Sequence, residues 1–338
     1  MLFRSKVAIF SAPGRSEVCG NHTDHQHGMV LATSINLDTI AVSAKNNNDV
    51  VRFVSDGYDM ITLDINDLEV NNDEAGTTVS LIRGVLRGLK DHGYKIGGFN
   101  AYATSDVLVG AGLSSSAAFE VVVGTIISGL YNDMKINSVE IAQISQYAEN
   151  VFFKKPCGLM DQMACSVGGM VNIDFKDPTK PIVKKVPTEF EKYDYSLCIV
   201  DTKGDHVDLT DDYAMIPSEM KKVANFLGED YLRDCDSNEF YIRLDEIREA
   251  VGDRPVLRAI HFFNEEYNVK NAVSSLENGK FVEFLDAIRK SGNSSFKYLQ
   301  NVYTTRDIQH QNISVALALS ESLLRNYGVC RVHGGGFA

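Results

Sequence analysis

The chain has 338 residues, 44% hydrophobic and 23% charged, with a formal net charge of −12. That balance belongs to a globular protein with one large or two ordinary domains, and its carboxylate excess argues against nucleic acid or an anionic membrane as partner. No run is long and apolar enough to span a bilayer, and the six cysteines are scattered without C-x-x-C pairs, so reduced thiols and a cytoplasmic setting are expected.

Along the chain, Val7 to Phe10 (after Arg4 and Lys6), Ile40 to Ala44 and Val50 to Val54 read as strands. Between the first two, the segment Ser11 to Gly28 crowds polar groups between apolar runs. Pro13 and Gly14 are expected to break the strand and present Arg15, whose planar guanidinium suits phosphate or carboxylate. Asn21, His22, Asp24, His25 and His27 then follow at a density that a plain surface loop does not need. They fit a metal site or, better, a polyol site in which Asp24 accepts from neighbouring hydroxyls while His22 and Asn21 hold others. A solvated polar loop is the bland alternative.

Thr78 to Asp91 reads as an amphipathic helix ending before Gly93, and Gly98 to Val107 as a strand with Phe99, Ala101 and Ala103 on one face. The most informative segment comes next, Gly110-Ala-Gly-Leu-Ser-Ser-Ser-Ala-Ala118, opening an apolar helix from Ala117 to Tyr131. Glycines allow a tight turn and close approach, and the unpaired N–H groups of a helix start suit a phosphate. A Gly turn with a Ser cap would look the same. No Lys follows the glycines as in a P-loop, and Ser115 stands at the third glycine place of G-x-G-x-x-G, so neither of these nucleotide fingerprints applies.

Ser138 to Phe153 reads as a helix stopped by Lys155-Pro156, and Gly168 to Phe175 as a strand. Glu149 lies near that helix's end. Asp161 follows a Pro–Gly turn among Leu159, Met160 and Met163, where a carboxylate needs a partner such as Arg15; a surface Glu and a capping Asp are the plain alternative. The polar stretch Lys176 to Lys192 suggests a domain boundary. Beyond it come a strand, Tyr195 to Val200, and helices over Met215 to Leu227, Ser237 to Ala250, Asp253 to Asn278 in pieces, Lys280 to Tyr298 and Ile313 to Asn326.

Three of these segments together resemble the galactokinase family of the GHMP small-molecule kinases. Pro13-Gly14-Arg15 through His22-Thr23-Asp24 is similar to its sugar signature, Gly110 to Ala118 to the superfamily phosphate loop, and Gly334-Gly335-Gly336-Phe337 to its third motif. The resemblance implies an α+β fold of two domains, 1–190 (ribosomal protein S5 domain 2-like) and 191–338 (a ferredoxin-like α/β sandwich). It also implies ATP and Mg²⁺ and the transfer of phosphate to the C1 hydroxyl of galactose in a soluble monomer. Asp161 would be the base with Arg15 beside it. Gly110, Gly112, Leu113, Ser114, Ser115 and Ser116 would cradle the ATP phosphates, and Ser116 and Glu149 would hold the metal. Asn21, His22, Asp24, Gly158 and Tyr213 would line the sugar.

The chain departs from the family pattern, which has Asn at the place of Glu17, Glu at Asn21, Tyr at His25 and commonly Pro at Leu108. Because the family Glu faces C6 of the sugar, Asn21 leaves galacturonate open as an alternative substrate. A catalytically silent sugar and ATP sensor and a metallohydrolase are further alternatives, the small residues Ala117 and Ala118 speaking for an active kinase. Ala338 stands directly after the third motif, where relatives continue, so the C-terminal half is expected to be incomplete.

Overall fold

A computed structural model describes residues 7–108, 110–204 and 209–337. Arg4, Lys6 and Ala338 lie outside the described residues. By internal packing the chain forms two compact units. The first comprises the residues up to Arg15, Ser34–Val109 and Leu113–Gly169; the second comprises Ser16–Thr33, Gly110–Gly112 and the residues from Met170 on. Two long strands, β1 (Ala8–Cys19) and β2 (Met29–Lys45), contribute residues to both.

In the first unit, β3 (Val50–Ser55) pairs antiparallel with β4 (Ile61–Asp64) and parallel with β5 (Phe99–Ser105), and β5 pairs antiparallel with the far half of β2. Phe99, Ala101 and Ala103 all turn inward, at most 2% exposed. Helix α1 (Thr78–Asp91) begins where the Thr77 side chain caps the Ser80 amide, and it buries Leu81, Ile82, Val85, Leu86 and Leu89. Helix α2 (Ser115–Tyr131) is buried along most of its length, which its apolar sequence requires. The helix expected over 138–153 is a regular helix, α3 (Ser138–Tyr147), followed by one π-type turn (Ala148–Phe153). A short helix, α4 (Met160–Val167), follows and carries Asp161 in its first turn.

The expectation that Pro13 and Gly14 break the first strand is corrected: β1 runs on to Cys19. Gly14 passes so close to the Leu113 carbonyl that a Cβ would sit 2.9 Å from its oxygen, and the next amide, Arg15, donates to that same oxygen at 3.1 Å. The backbone is thereby held in the strand by a partner that sequence alternation cannot reveal.

In the second unit, the near end of β2 pairs antiparallel with β6 (Met170–Asp174), which pairs with β7 (Ile182–Lys185). Helices follow: α5 (Thr210–Phe226), α6 (Ser237–Ile242), α7 (Leu244–Val251), α8 (Asp253–Glu277), α9 (Phe281–Ser294) and α10 (Asn312–Leu324). Helix α8 is unbroken, where pieces were expected, because its buried residues recur over its whole length and feed two cores. Val269, Val273 and Leu276 pack with Leu31, Met170 and Phe284; Val256 and Phe262 pack with Ile216, Met220 and Phe240. The strand expected at Tyr195 to Val200 is not formed, and no strand occurs among the described residues from 191 to 337. Its apolar alternation finds no face to bury, since every residue but Tyr195 is exposed, and without burial alternation alone does not hold a strand. The mixed α+β class stands. No helix is long and apolar enough to cross a membrane among the described residues.

Candidate active site

The glycine-rich loop enters α2 through three residues with positive φ: Gly110 at 78°, Gly112 at 69° and Ser114 at 60°. The first two conformations suit glycine; the third is uncommon for serine and marks local strain. The helical ladder begins when the Ala118 amide donates to the Ser114 carbonyl. The amides of Ser115, Ser116 and Ala117 therefore precede it, the arrangement that favours an anion at a helix start. Leu113 is buried at the base of the turn.

Within the first unit, Asp161 accepts from Arg15 Nε at 2.7 Å and from the Ser114 hydroxyl at 2.5 Å. Burial alone would raise the Asp161 pKa. The Arg15 charge, its hydrogen bond and that of Ser114 outweigh burial, so the pKa lies below the ordinary carboxylate value and the group is ionised at neutral pH. Arg15 is 5% exposed, whereas the Asp161 side chain keeps 32% of its surface open. A carboxylate fixed in orientation yet still accessible is what accepting a proton from a bound hydroxyl requires.

Next to this pair, the Ser116 hydroxyl donates to Glu149 Oε1 at 3.1 Å, and the Lys155 ammonium lies 3.0 Å from that same oxygen. Glu149 Oε2 accepts from Gln162 Nε2 at 2.6 Å, and Gln162 also reaches the Glu120 carboxylate at 3.2 Å. Glu120 is fully buried inside α2. Burial first and the nearby Glu149 second push its pKa well above the ordinary value. Glu120 Oε1 and Gln162 Oε1 are buried without a hydrogen-bond partner among the described residues. Asp161 and Gln162 are consecutive, so the first turn of α4 presents one side chain to Arg15 and the next to Glu149.

The second unit holds most of the sugar-signature residues. Asn21 is 0% exposed, and its carboxamide is fully engaged. Its Nδ2 donates to Glu17 at 2.6 Å and to the Gly334 carbonyl at 2.7 Å; its Oδ1 accepts from Asn301 at 2.8 Å and from Ser295 at 3.3 Å. Every donor and acceptor of the Asn21 carboxamide thus meets a protein partner. His22, at φ 59°, places Nε2 3.1 Å from the Gly335 carbonyl. A carbonyl only accepts, so Nε2 carries the proton. Burial, then the neighbouring His25, push the His22 pKa down to about 3, and the ring is neutral. Tyr213 donates to the Gly336 carbonyl at 2.8 Å and packs edge-on against Phe337. The Asp24 side chain is 8% exposed and lies 3.9 Å from His25.

The histidines do not gather as metal ligands. His27 stacks on Tyr231 with ring centroids 3.6 Å apart, and no three His, Cys, Asp or Glu side chains converge among the described residues. Gly158 lies in the first unit, half-buried in the irregular segment ahead of α4. Sequence reasoning passed over Glu120, Gln162, Lys155, Arg331 and Asn301. Of these, only Glu120 carried a signal, as a lone carboxylate in an otherwise apolar helix.

Residues 80–169 match the family described as the GHMP kinases N terminal domain, and residues 2–45 match the galactokinase galactose-binding signature. The chain is 30% identical to the galactokinase of Streptomyces coelicolor over 86% of its own length and 74% of that protein's. It is also 30% identical to that of Limosilactobacillus reuteri, over 98% and 83%. The fold is similar to that of Lactococcus lactis galactokinase complexed with galactose, with a TM-score of 0.80 at 21% identity over 99% of this chain and 84% of that one. It also resembles the mevalonate kinase of Methanococcus jannaschii, with a TM-score of 0.59 at 16% identity over 99% and 89%.

Proposed function

Since the chain belongs to the galactokinase family of the GHMP kinases, we propose that it transfers the γ-phosphoryl group of ATP to the anomeric C1 hydroxyl of galactose. The observation that carries this reading is Asp161, held ionised between Arg15 and Ser114 and still open to a ligand. Phosphoryl transfer asks little covalent chemistry of a protein; it asks for in-line positioning, an oriented hydroxyl and positive charge near the transferring group. Asp161 accepts the C1 hydroxyl proton, and Arg15 fixes that carboxylate and stabilises charge on the phosphoryl group. The loop Gly110, Gly112, Leu113, Ser114, Ser115 and Ser116 holds the ATP phosphates. His22, Asp24, Gly158 and Tyr213 are assigned to the sugar.

Mg²⁺ is part of the same proposal. Ser116 and Glu149 offer hard oxygen atoms in contact with each other, and Mg²⁺ would take over the place that the Lys155 ammonium holds beside Glu149 Oε1. Two protein oxygens are a usual complement for Mg²⁺, which takes its other ligands from phosphates and water. When bound, it would neutralise phosphate charge. We further propose a cytoplasmic monomer.

An ADP-release assay with galactose, galacturonate, arabinose and glucose tests the reading. Turnover is expected with galactose above all others. Preference for galacturonate would move the substrate, and absence of turnover with every sugar while galactose still binds would convert the enzyme into a sensor.

A further inference from the structure

The three consecutive carbonyls of Gly334, Gly335 and Gly336 are each held by a side chain from another part of the second unit: Asn21, His22 and Tyr213 respectively. Asn301 reinforces the set, donating to Gly335 and to Asn21 Oδ1. The orientation of the Asn21 amide is fixed by chemistry. Both the Glu17 carboxylate and the Gly334 carbonyl can only accept, so Nδ2 must face them. Glu17 in turn is 3% exposed and ion-paired with Arg331 at 2.6 Å, and Arg331 also donates to the Val18 carbonyl. The line Arg331–Glu17–Asn21–Gly334 joins two charge-assisted bonds, both to Glu17, to a neutral one that ends on a glycine turn.

Positions 17 and 21, where the sequence departs from the family pattern of Asn and Glu, touch each other at 2.6 Å.

We propose that Glu17 and Asn21 are a positioning pair for the sugar site: Glu17, set by Arg331, orients Asn21, and Asn21 holds the Gly334–Gly336 turn that also carries His22 and Tyr213. Residue 21 acts through this turn and does not read C6 of the sugar. This rests on the galactose reading above for its substrate, though not for the coupling between the two residues.

The test is a cycle of Glu17→Asn, Asn21→Glu and the double exchange, measured by melting temperature and by kinetics with galactose and galacturonate. Asn21→Glu alone places a second carboxylate against Glu17 and the Gly334 carbonyl, and should lower the melting temperature by at least ~5 °C. The double exchange should recover a substantial part of that loss. Glu17→Gln, which keeps the size of the side chain and removes its charge, should raise KM for galactose more than it lowers kcat. In Asn21→Ala the galactose-to-galacturonate ratio of kcat/KM should stay within about threefold of wild type, since removing a hydrogen bond made to the sugar itself changes such a ratio by about tenfold or more. Additive melting losses overturn the pair. A ratio that moves by about tenfold or more in Asn21→Ala overturns the indirect role and places residue 21 against the sugar. If the wild-type protein phosphorylates neither sugar, the kinase reading fails, and the melting cycle still decides the pairing.

Discussion

Asp161 in the first unit and Asn21 in the second are both held by close hydrogen bonds, yet they are held to opposite ends. Asp161 is pinned by Arg15 and Ser114 with a third of its side chain still open, and close by, Glu120 and Gln162 each keep one buried oxygen without a partner among the described residues. Asn21 has every donor and acceptor engaged by protein and no exposed surface. Glu265 behaves like Asn21, buried and accepting from the Gly20 amide, Ser291 and Asn268. Glu120 and Gln162 beside Asp161 thus keep hydrogen-bonding capacity that the Asn21 side chain has spent, and a buried polar atom is costly unless something satisfies it.

The strongest way to break this contrast is Asp161→Asn. The amide keeps the shape and loses the proton-accepting charge, while its oxygen can still accept from Arg15 and its NH2 group can donate to the Ser114 hydroxyl. Turnover should fall ~10²–10⁴-fold, as when a general base is removed, while galactose binding measured by calorimetry stays close to wild type. A kcat within a few-fold of wild type, on the scale of that ~10²-fold lower bound, would remove Asp161 from the chemistry.

The pH dependence of stability probes the other cluster. The folded His22 pKa of about 3 lies below the ordinary histidine value of 6.5. A group depressed in this way contributes stability that is fully present above its unfolded value and is lost as pH falls from there toward 3. The contribution is on the order of 2–4 kcal/mol. His22→Gln, which can still donate to the Gly335 carbonyl, should flatten the fall in melting temperature between neutral pH and the acid range. An unchanged acid limb would place the titrating group elsewhere.

A smaller effect is expected at the metal ligands. Glu149→Gln and Ser116→Ala should each raise the Mg²⁺ concentration for half-maximal activity, and Gln162→Leu should do so by ~10-fold, as when a partner that orients a ligand is lost. Should Gln162→Leu leave the titration curve in place while Glu149→Gln shifts it, Gln162 does not orient Glu149. A curve unmoved in all three variants would put the metal on other residues.

How far this was readable from sequence depended on the range of the interactions. Helix α1 was legible to the residue because its signals are local: a 3.6-residue apolar stripe and Gly93 beyond its end. The length of β1 was not, because Arg15, Ser16 and Glu17 look like loop residues until distant partners bury them, Asp161 for the first and Arg331 for the third. The same holds in the site. An Asp among apolar neighbours declared its need of a cation, so a pair with Arg15 could be anticipated. The saturation of Asn21 could not, since Ser295, Asn301 and Gly334 stand more than two hundred residues away in the chain. The apolar alternation at Tyr195 to Val200 misled for the converse reason: its pattern is local, while a strand needs a neighbour.

The least disruptive test of the saturated cluster is Tyr213→Phe. The hydroxyl donates to the Gly336 carbonyl, and burial, then the charge of Asp212, push its pKa up to about 12, so it remains a donor throughout the working range. Its removal deletes the neutral hydrogen bond to Gly336 and leaves the ring packed on Phe337. The expected loss is about 1 kcal/mol, or roughly 2–4 °C in melting temperature for a unit of this size. The kinetic consequence separates two roles. If Tyr213 supports the turn as Asn21 does, KM for galactose should rise modestly in step with the lost stability, and Asn21→Ala combined with Tyr213→Phe should be non-additive, since both hold one rigid turn. If the hydroxyl instead meets the sugar, KM should rise well beyond what the melting loss accounts for, with the two changes additive. That result would move Tyr213 out of the saturated group and leave Asn21 and Glu17 as the core of the scaffold.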